Sequence, residues 1–382
     1  MALLAAGAGL SAANLYYNQP MLGVLATDLR TTPERVGLIP TCTQLGYAAG
    51  IILFAPLGDM LDRRRVIVAK AMALIVALVA AGLATNVLGL SLASLAIGLT
   101  ASMAQDLVPA AASLADPKSR GKVVGTVMTG LLLGILLSRV VSGAVTAYVS
   151  WRAIFFGGAA SVFFFAVIAA RSLPSFPPLT SARYPTLLAS MALLFRDTAP
   201  LRRAAITQGL LALTFSAFWS TLALGLAAPP YGASSAVAGS FGIAGAAGAV
   251  AAPIAGGISD RRGPRAVVYF GAVVTIASFL AMAALHGSMW VLVLGTIVFD
   301  LGVQSCLIAH QTIVYAQDPA ARSRLNALLV SSMFLGMSGG AFVGSRVFAR
   351  FGFAGVCAMS ALVATLALVI AALPGRGRAT GT

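Results

Sequence analysis

Apolar residues run through the 382-residue chain in long unbroken stretches separated by short polar segments. A window of about 20 apolar residues, the length a helix needs to cross the hydrocarbon layer, finds twelve of them. They begin near residues 3, 36, 66, 90, 122, 153, 203, 234, 266, 289, 325 and 353. The runs are continuous and rich in Leu, Ala and Gly, unlike the alternating strands of about 10 residues that build a membrane barrel, so helices are the way this backbone satisfies itself in lipid. The expected fold class is an all-α membrane protein of twelve transmembrane helices.

The longest polar interval is RSLPSFPPLTSARYPTLLASMALLFRDTAPLRR, residues 171 to 203, between the sixth and seventh runs. It divides the chain into a first bundle over 1–171, a linker over 172–202, a second bundle over 203–373 and a tail over 374–382. Within the linker, residues 184–197 place apolar positions at helical spacing over too short a length to cross. That pattern suits an amphipathic helix lying on the membrane surface, and an extended linker is the alternative.

The two halves repeat each other. GDMLDRRR after the second run has Gly58 four residues before Asp62, Arg63 and Arg64; GGISDRRGPR after the eighth has Gly256 four residues before Asp260, Arg261 and Arg262. Asp116-Pro117 with Arg120 recurs as Asp318-Pro319 with Arg322. The copies lie 198 and 202 residues apart, so two separate signals point to one duplication of six spans. Two pseudo-symmetric six-helix bundles follow, an architecture that places a ligand site at the midplane between halves.

Composition agrees with the pattern: 59% of residues are hydrophobic and 9% charged, against about 25% charged in a soluble domain. The net charge of +15 would point to nucleic acid in a soluble protein, but its distribution argues otherwise. Nineteen of the 25 basic residues fall in every second loop, among them Arg63, Arg64, Arg65 and Lys70; Lys118 and Arg120; Arg202 and Arg203; Arg261, Arg262 and Arg265; Arg322 and Arg324. The positive-inside rule then puts those loops and both termini in the cytoplasm, with anionic lipid rather than nucleic acid as the partner of the surplus charge.

Cys42, Cys306 and Cys357 show no paired spacing, so neither disulfides nor a metal site is expected. MALLAAGAGLSAA lacks the basic start of a signal peptide and reads as part of the first span. No phosphate-cradling GxxxxGK[ST] loop, paired catalytic carboxylates or nucleophile with a base is present. The expectation is a non-enzyme without cofactors.

The quoted loops carry a family resemblance over essentially the whole chain: it resembles the major facilitator superfamily of transporters. That family has Gly-x-x-x-Asp-Arg/Lys-x-Gly-Arg-Arg/Lys between spans 2 and 3, repeated between spans 8 and 9. Here Gly58, Asp62 and Arg63 match in the first loop, where Arg65 replaces the later glycine; Gly256, Asp260, Arg261, Gly263 and Arg265 match in the second. The resemblance implies a conformational latch at these residues, in which an aspartate accepts from a helix N-terminus and from an arginine across a half. The alternative is that charged turns only fix topology.

NLYYNQP, PLGDMLDRRR, AASLADPKSRGKVVG, GLLLGILLSRVVSG and the Trp151-Arg152 pair further resemble the bacterial twelve-span drug:proton antiporters. Two features of that group are missing. Ser94 stands where an arginine is usual in span 4, and Gly134-Ile135 where Gly-Pro is usual in span 5. Gly130 and Gly134 still allow close packing.

Ionisable residues at bilayer depth are costly and usually face a bundle interior or a cavity. Asp106 and Asp300 are the acidic residues set there, with Arg139 the basic residue deep in the first half and Asp106 a candidate partner for it. Ser102, Asp106, Pro109 and Ser113 share one helical face, and Asp300, Gln304, Leu307 and Gln311 share the matching one. Burial favours a protonated carboxylate, so Asp106, Asp300 and Arg139 are the candidates for proton coupling. Asn14, Tyr17, Asn18, Gln105, Gln208, Gln304 and Gln311 are the candidates for lining a substrate cavity, interhelical hydrogen bonding being the alternative for each.

The sequence therefore leads to an expected secondary transporter of the bacterial inner membrane, monomeric, exporting a small amphiphilic or sugar-like solute against protons by alternating access. An importer, a passive facilitator or a non-transporting sensor could share the architecture.

Overall fold

The structure, a computed structural model, describes residues 1–116, 119–178, 180, 182–245, 251–318 and 321–373, with the side chains of 251–254, 256 and 260 outside the description. The readings that rest on the tail 374–382 and on the Gly256 and Asp260 side chains lie outside the described residues.

Among those residues every regular element is a helix. The first predicted span is two helices, α1 (Ala2–Ala13) and α2 (Leu22–Asp28), joined by turns over 14–21. Next come α3 (Pro33–Val36), α4 (Leu38–Met60), α5 (Arg63–Leu83), α6 (Val87–Ala101), α7 (Ala104–Ser113), α8 (Arg120–Tyr148) and α9 (Trp151–Ser172). The linker contains α10 (Tyr184–Asp197). The second half has α11 (Ala199–Ala227), α12 (Ser235–Gly245), α13 (Ala251–Arg262), α14 (Pro264–Ala284), α15 (Met289–Tyr315) and α16 (Arg322–Ala372).

Nine helical segments of the described residues are long and apolar enough to cross a membrane. The longest, α16, is broken at Gly352, whose φ of 64° is a left-handed value that glycine alone adopts freely. With its two runs counted separately, and with α1–α2 and α12–α13 as paired short helices, the arrangement accommodates twelve passes.

Polar residues start the helices where the sequence turns. Asp62 accepts from the Arg64 amide at 3.0 Å to cap α5, Asn86 from the Gly89 amide at 2.8 Å to cap α6, and Ser150 from the Arg152 amide at 3.2 Å to cap α9. Large apolar side chains such as Leu88, Phe164, Trp290 and Leu362 are exposed on the outer surface, as lipid-facing residues must be.

Each half has its own core. Leu22, Leu74, Leu107 and Phe155 anchor the first, and Phe218, Phe279 and Phe299 the second, with ring centroids 4.8 to 4.9 Å apart about Phe299. A third cluster joins the halves: Leu15, Tyr16 and Tyr47 from the first, Phe334 and Met337 from the second, and Met191 from α10.

Candidate functional site

Between the halves lies a cavity of about 1010 Å³. It reaches the end of the bundle that carries the basic loops, where Arg120, Ser323 and Arg324 line it. The opposite end is closed. A Cβ on Gly37 would stand 2.3 Å from Ser345, Ser338 Oγ donates to Thr41 O at 3.0 Å, and Ser235 Oγ donates to Gly143 O at 3.1 Å.

Span 4 presents the face its spacing predicts. Ser102, Asp106, Pro109 and Ser113 all line the cavity. Opposite, Gln304, Leu307 and Gln311 of α15 line it, but Asp300 does not. Asp300 is 3% exposed, behind the wall, with its Oδ1 unpartnered among the described residues.

The four glutamines of the predicted cavity set all line it, and three of them have a neighbour that orients them. Gln105 Nε2 donates to Tyr47 Oη at 3.0 Å, Gln208 Oε1 is 3.0 Å from His310 Nδ1, and Gln311 Nε2 lies 3.4 Å from Asn326 Oδ1. Asn326 also accepts from Tyr315 Oη at 2.7 Å. Aromatic and thioether groups complete the wall: Tyr16, Phe215, Phe334, Met333 and Met337. The lining can solvate polar groups and cover apolar surface at once.

The span 1 expectation needs correction. Asn14, Tyr17 and Asn18 do not line this cavity. Asn14 Nδ2 donates to Leu10 O at 2.6 Å, Asn18 Nδ2 donates to Thr43 Oγ1 at 3.0 Å, and Tyr17 packs beside Gly158. The physical reason is the end of α1 at Ala13: a face counted at helical spacing through 14 to 21 does not exist in a run of turns. Ala12, Leu15 and Tyr16 face the cavity instead.

The proposed pairing of Asp106 with Arg139 is also overturned. Asp106 Oδ2 accepts from Lys70 Nζ at 2.6 Å, with side chains 6% and 8% exposed. Lys70 belongs to α5, two helical turns past the loop to which the sequence reading assigned it, so Arg139 is not the only buried cation of the first half. Its signal was in the sequence: in RRRVIVAKAM it follows four apolar residues of a span already begun.

Beside this pair sits the first loop motif. A Cβ on Gly58 would stand 2.8 Å from Asp106 Oδ1, so glycine leaves the room the carboxylate occupies. Arg63 Nη2 donates to Asp59 Oδ1 at 3.2 Å. Besides capping α5, Asp62 accepts from the Phe176 amide at 2.9 Å and from Ser175 Oγ at 3.0 Å. Arg65 Nε lies 4.0 Å from Asp62 Oδ2, so Asp62 meets the N-terminus of α5, an arginine of that same helix and the segment after α9. Arg261 and Arg265 are exposed at the end of α13 and the start of α14.

Arg139 lies at the closed end. Its Nε donates to Gln19 Oε1 at 2.9 Å, and its guanidinium carbon is 4.0 Å from the Trp219 ring centre and 4.8 Å from that of Tyr16. No group of three or more metal-ligating side chains occurs among the described residues.

A sequence model of the Major Facilitator Superfamily matches residues 4–202 and 204–381. The chain is 39% identical over 372 residues to the putative uncharacterized transporter YgaY of Escherichia coli strain K12, covering 96% of this chain and 93% of that protein. It is 31% identical over 369 residues to the probable transporter SCO4007 of Streptomyces coelicolor, covering 94% and 83%. Among solved structures, a mutant of the nucleoside transporter NupG superposes with a TM-score of 0.81 at 14% identity, covering 97% of this chain and 98% of that one. The chain accordingly belongs to the major facilitator superfamily and is a multi-pass membrane transporter.

Proposed function

We propose that the chain exports a small amphiphilic or sugar-like solute across a bacterial inner membrane, driven by protons and working by alternating access between bundles 1–171 and 203–373. In this reading 172–202 is the linker and 374–382 a tail, both termini and the basic loops are cytoplasmic, the transporter is monomeric, and anionic lipid meets the basic loops.

The observation that carries the reading is the Lys70–Asp106 pair on the wall of the central cavity. A buried ion pair is held by its mutual charge, and loss of one charge leaves the other unpaired at high cost. Protonation of Asp106 would abolish the attraction and favour a packing in which Lys70 reaches water. A proton can shift the carrier between its two states only through such a difference in interaction. The mixed lining of glutamines, Tyr16, Tyr47, Phe215 and Phe334 suits an amphiphilic solute. Outward direction rests on the resemblance to drug:proton antiporters.

Import is the second reading, favoured by the fold shared with a structure named as a nucleoside transporter. In it the same pair serves symport, with proton and solute bound together.

The test is proton movement in proteoliposomes across a panel of amphiphiles, sugars and nucleosides, comparing wild type with Asp106→Asn. Solute-dependent proton release from the vesicle, opposite to solute flux and lost in the variant while binding persists, supports export. Flux of both in one direction supports import. Equal behaviour of wild type and variant removes the coupling role of Asp106.

A further inference from the structure

The closed end of the bundle is built around one side chain. Arg139 of α8 is 3% exposed, yet no salt bridge among the described residues holds it. Besides the hydrogen bond from its Nε to Gln19 Oε1 at 2.9 Å, it is held by rings, and those closest to its charge come from both halves: Trp219 of α11 at 4.0 Å, Tyr16 from the turns after α1 at 4.8 Å, and Phe215 of α11 at 5.9 Å. A desolvated guanidinium over an indole face is among the stronger cation–π geometries.

The backbone around it closes to contact. A Cβ on Gly239 would stand 2.5 Å from Arg139 O, and one on Gly242 2.9 Å from Arg139 Cβ. Glycines on both sides, Gly239 and Gly242 of α12 and Gly143 of α8, let the halves approach this closely.

The polar atoms here are poorly satisfied. Arg139 Nη2, Gln19 Nε2, Trp219 Nε1 and Asp300 Oδ1 are all buried without a hydrogen-bond partner among the described residues. The Asp300 carboxylate acts on Arg139 electrostatically. Buried groups left without partners disfavour the closed arrangement. The closed end is thus balanced: cation–π contact and glycine packing hold it, and four orphaned polar atoms oppose them.

We propose that Arg139 is the pin of the gate on the side away from the basic loops, inserted from the first half into an aromatic socket of the second, and that its withdrawal opens that side. The inference rests on alternating access as proposed above, but on neither the proton nor the solute.

The experiment is thiol labelling of the full-length protein in nanodiscs, with no solute and no pH gradient, after replacing Cys42, Cys306 and Cys357 by serine or alanine. Ser235→Cys reports the closed side, where the native hydroxyl meets Gly143 O, and Ser113→Cys reports the cavity side. Each is combined with Arg139→Met, which keeps the stem and removes the charge, and with Arg139→Lys.

Arg139→Met is expected to raise the labelling rate at position 235 on the order of tenfold and to lower it at position 113, with Arg139→Lys in between. No rise at 235, or a rise at both positions together, overturns the proposal, because general loosening is not gating. If Arg139→Met does not yield folded protein, Trp219→Leu removes the socket from the other half and is judged by the same reciprocal criterion. A failure here leaves the coupling reading at Asp106 standing, and a failure of that reading leaves this one standing.

Discussion

Lys70 and Asp106 bind each other in a place where neither is tolerated alone. Their side chains are 8% and 6% exposed and 2.6 Å apart, so deleting one charge leaves the other buried and unpaired, at about 3–5 kcal/mol. Lys70→Met and Asp106→Leu are each expected to lower the denaturation temperature in detergent sharply. Combined, they should recover most of it, because two apolar side chains replace a pair with nothing left uncompensated. A double variant as unstable as either single one would show that the pair is not what holds α5 to α7. Asp28, the half-exposed last residue of α2, gives a second residue-scale prediction. Its carboxylate accepts from Trp151 Nε1 at 2.7 Å and from Arg152 Nη1 at 3.2 Å, and the indole donor first, then the arginine, hold it below the ordinary value of 3.8. A depressed carboxylate contributes its tie between α2 and α9 above the unfolded value and loses it as pH falls through the folded one. Trp151 fluorescence should therefore be flat from neutral pH to about 4 and change only below that. Asp28→Asn should flatten the acid transition.

At the scale of elements, close approach of helices is decided by glycines at the crossing points. A Cβ on Gly134 of α8 would stand 2.2 Å from Gly9 O of α1, and one on Gly130 would stand 2.4 Å from Ala5 O. The small-x-x-x-small pair that the sequence shows in span 5 is thus a seam against α1, formed although the usual Gly-Pro is absent. Gly134→Ala is expected to push the two helices apart and destabilise the first half by about 1–3 kcal/mol. Gly157→Ala on the exposed face of α9, where a Cβ meets nothing within 4 Å, is the control and should be neutral or stabilising. Thermal unfolding of the purified variants reads both. The same element-scale view explains the failed face on span 1. Periodicity through Asn14, Tyr17 and Asn18 presumes a continuous helix, and a broken helix sends Asn18 to Thr43 and sets Asn14 and Tyr17 beside Gly158 instead.

At the scale of the whole molecule, α10 touches both halves at the open end of the cavity. Tyr184 Oη donates to Leu53 O at 2.9 Å, and Arg324 Nη1 donates to Ser190 Oγ at 3.1 Å. Met191 is 4% exposed within the cluster that joins the halves. A charge there should expel the helix and leave the bundles intact. For Met191→Arg, limited trypsin digestion at Arg183 and Arg196 is expected to speed up on the order of tenfold, with transmembrane fragments unchanged by mass spectrometry. Unchanged cleavage would mean that α10 is held by its two hydrogen bonds rather than by its buried methionine.

The lipid solvent, the helical class, the duplication and the family are legible before any contact is known, because each follows from local features: runs of about 20 apolar residues, charge alternation between loops, and loop motifs repeated 198 and 202 residues apart. Asp106, Pro109 and Ser113, which the spacing sets on one face, share the single helix α7 and line the cavity together, and Ser102 lines it from the break before that helix. Pairing between helices is not legible in this way. That Asp106 meets Lys70, that Arg139 enters a socket of Trp219 and Phe215, and that Asp300 stays behind the wall depend on the rotation and depth of helices relative to one another. Those are set by glycine contacts and helix breaks at many crossings at once, and no stretch of a single helix encodes them.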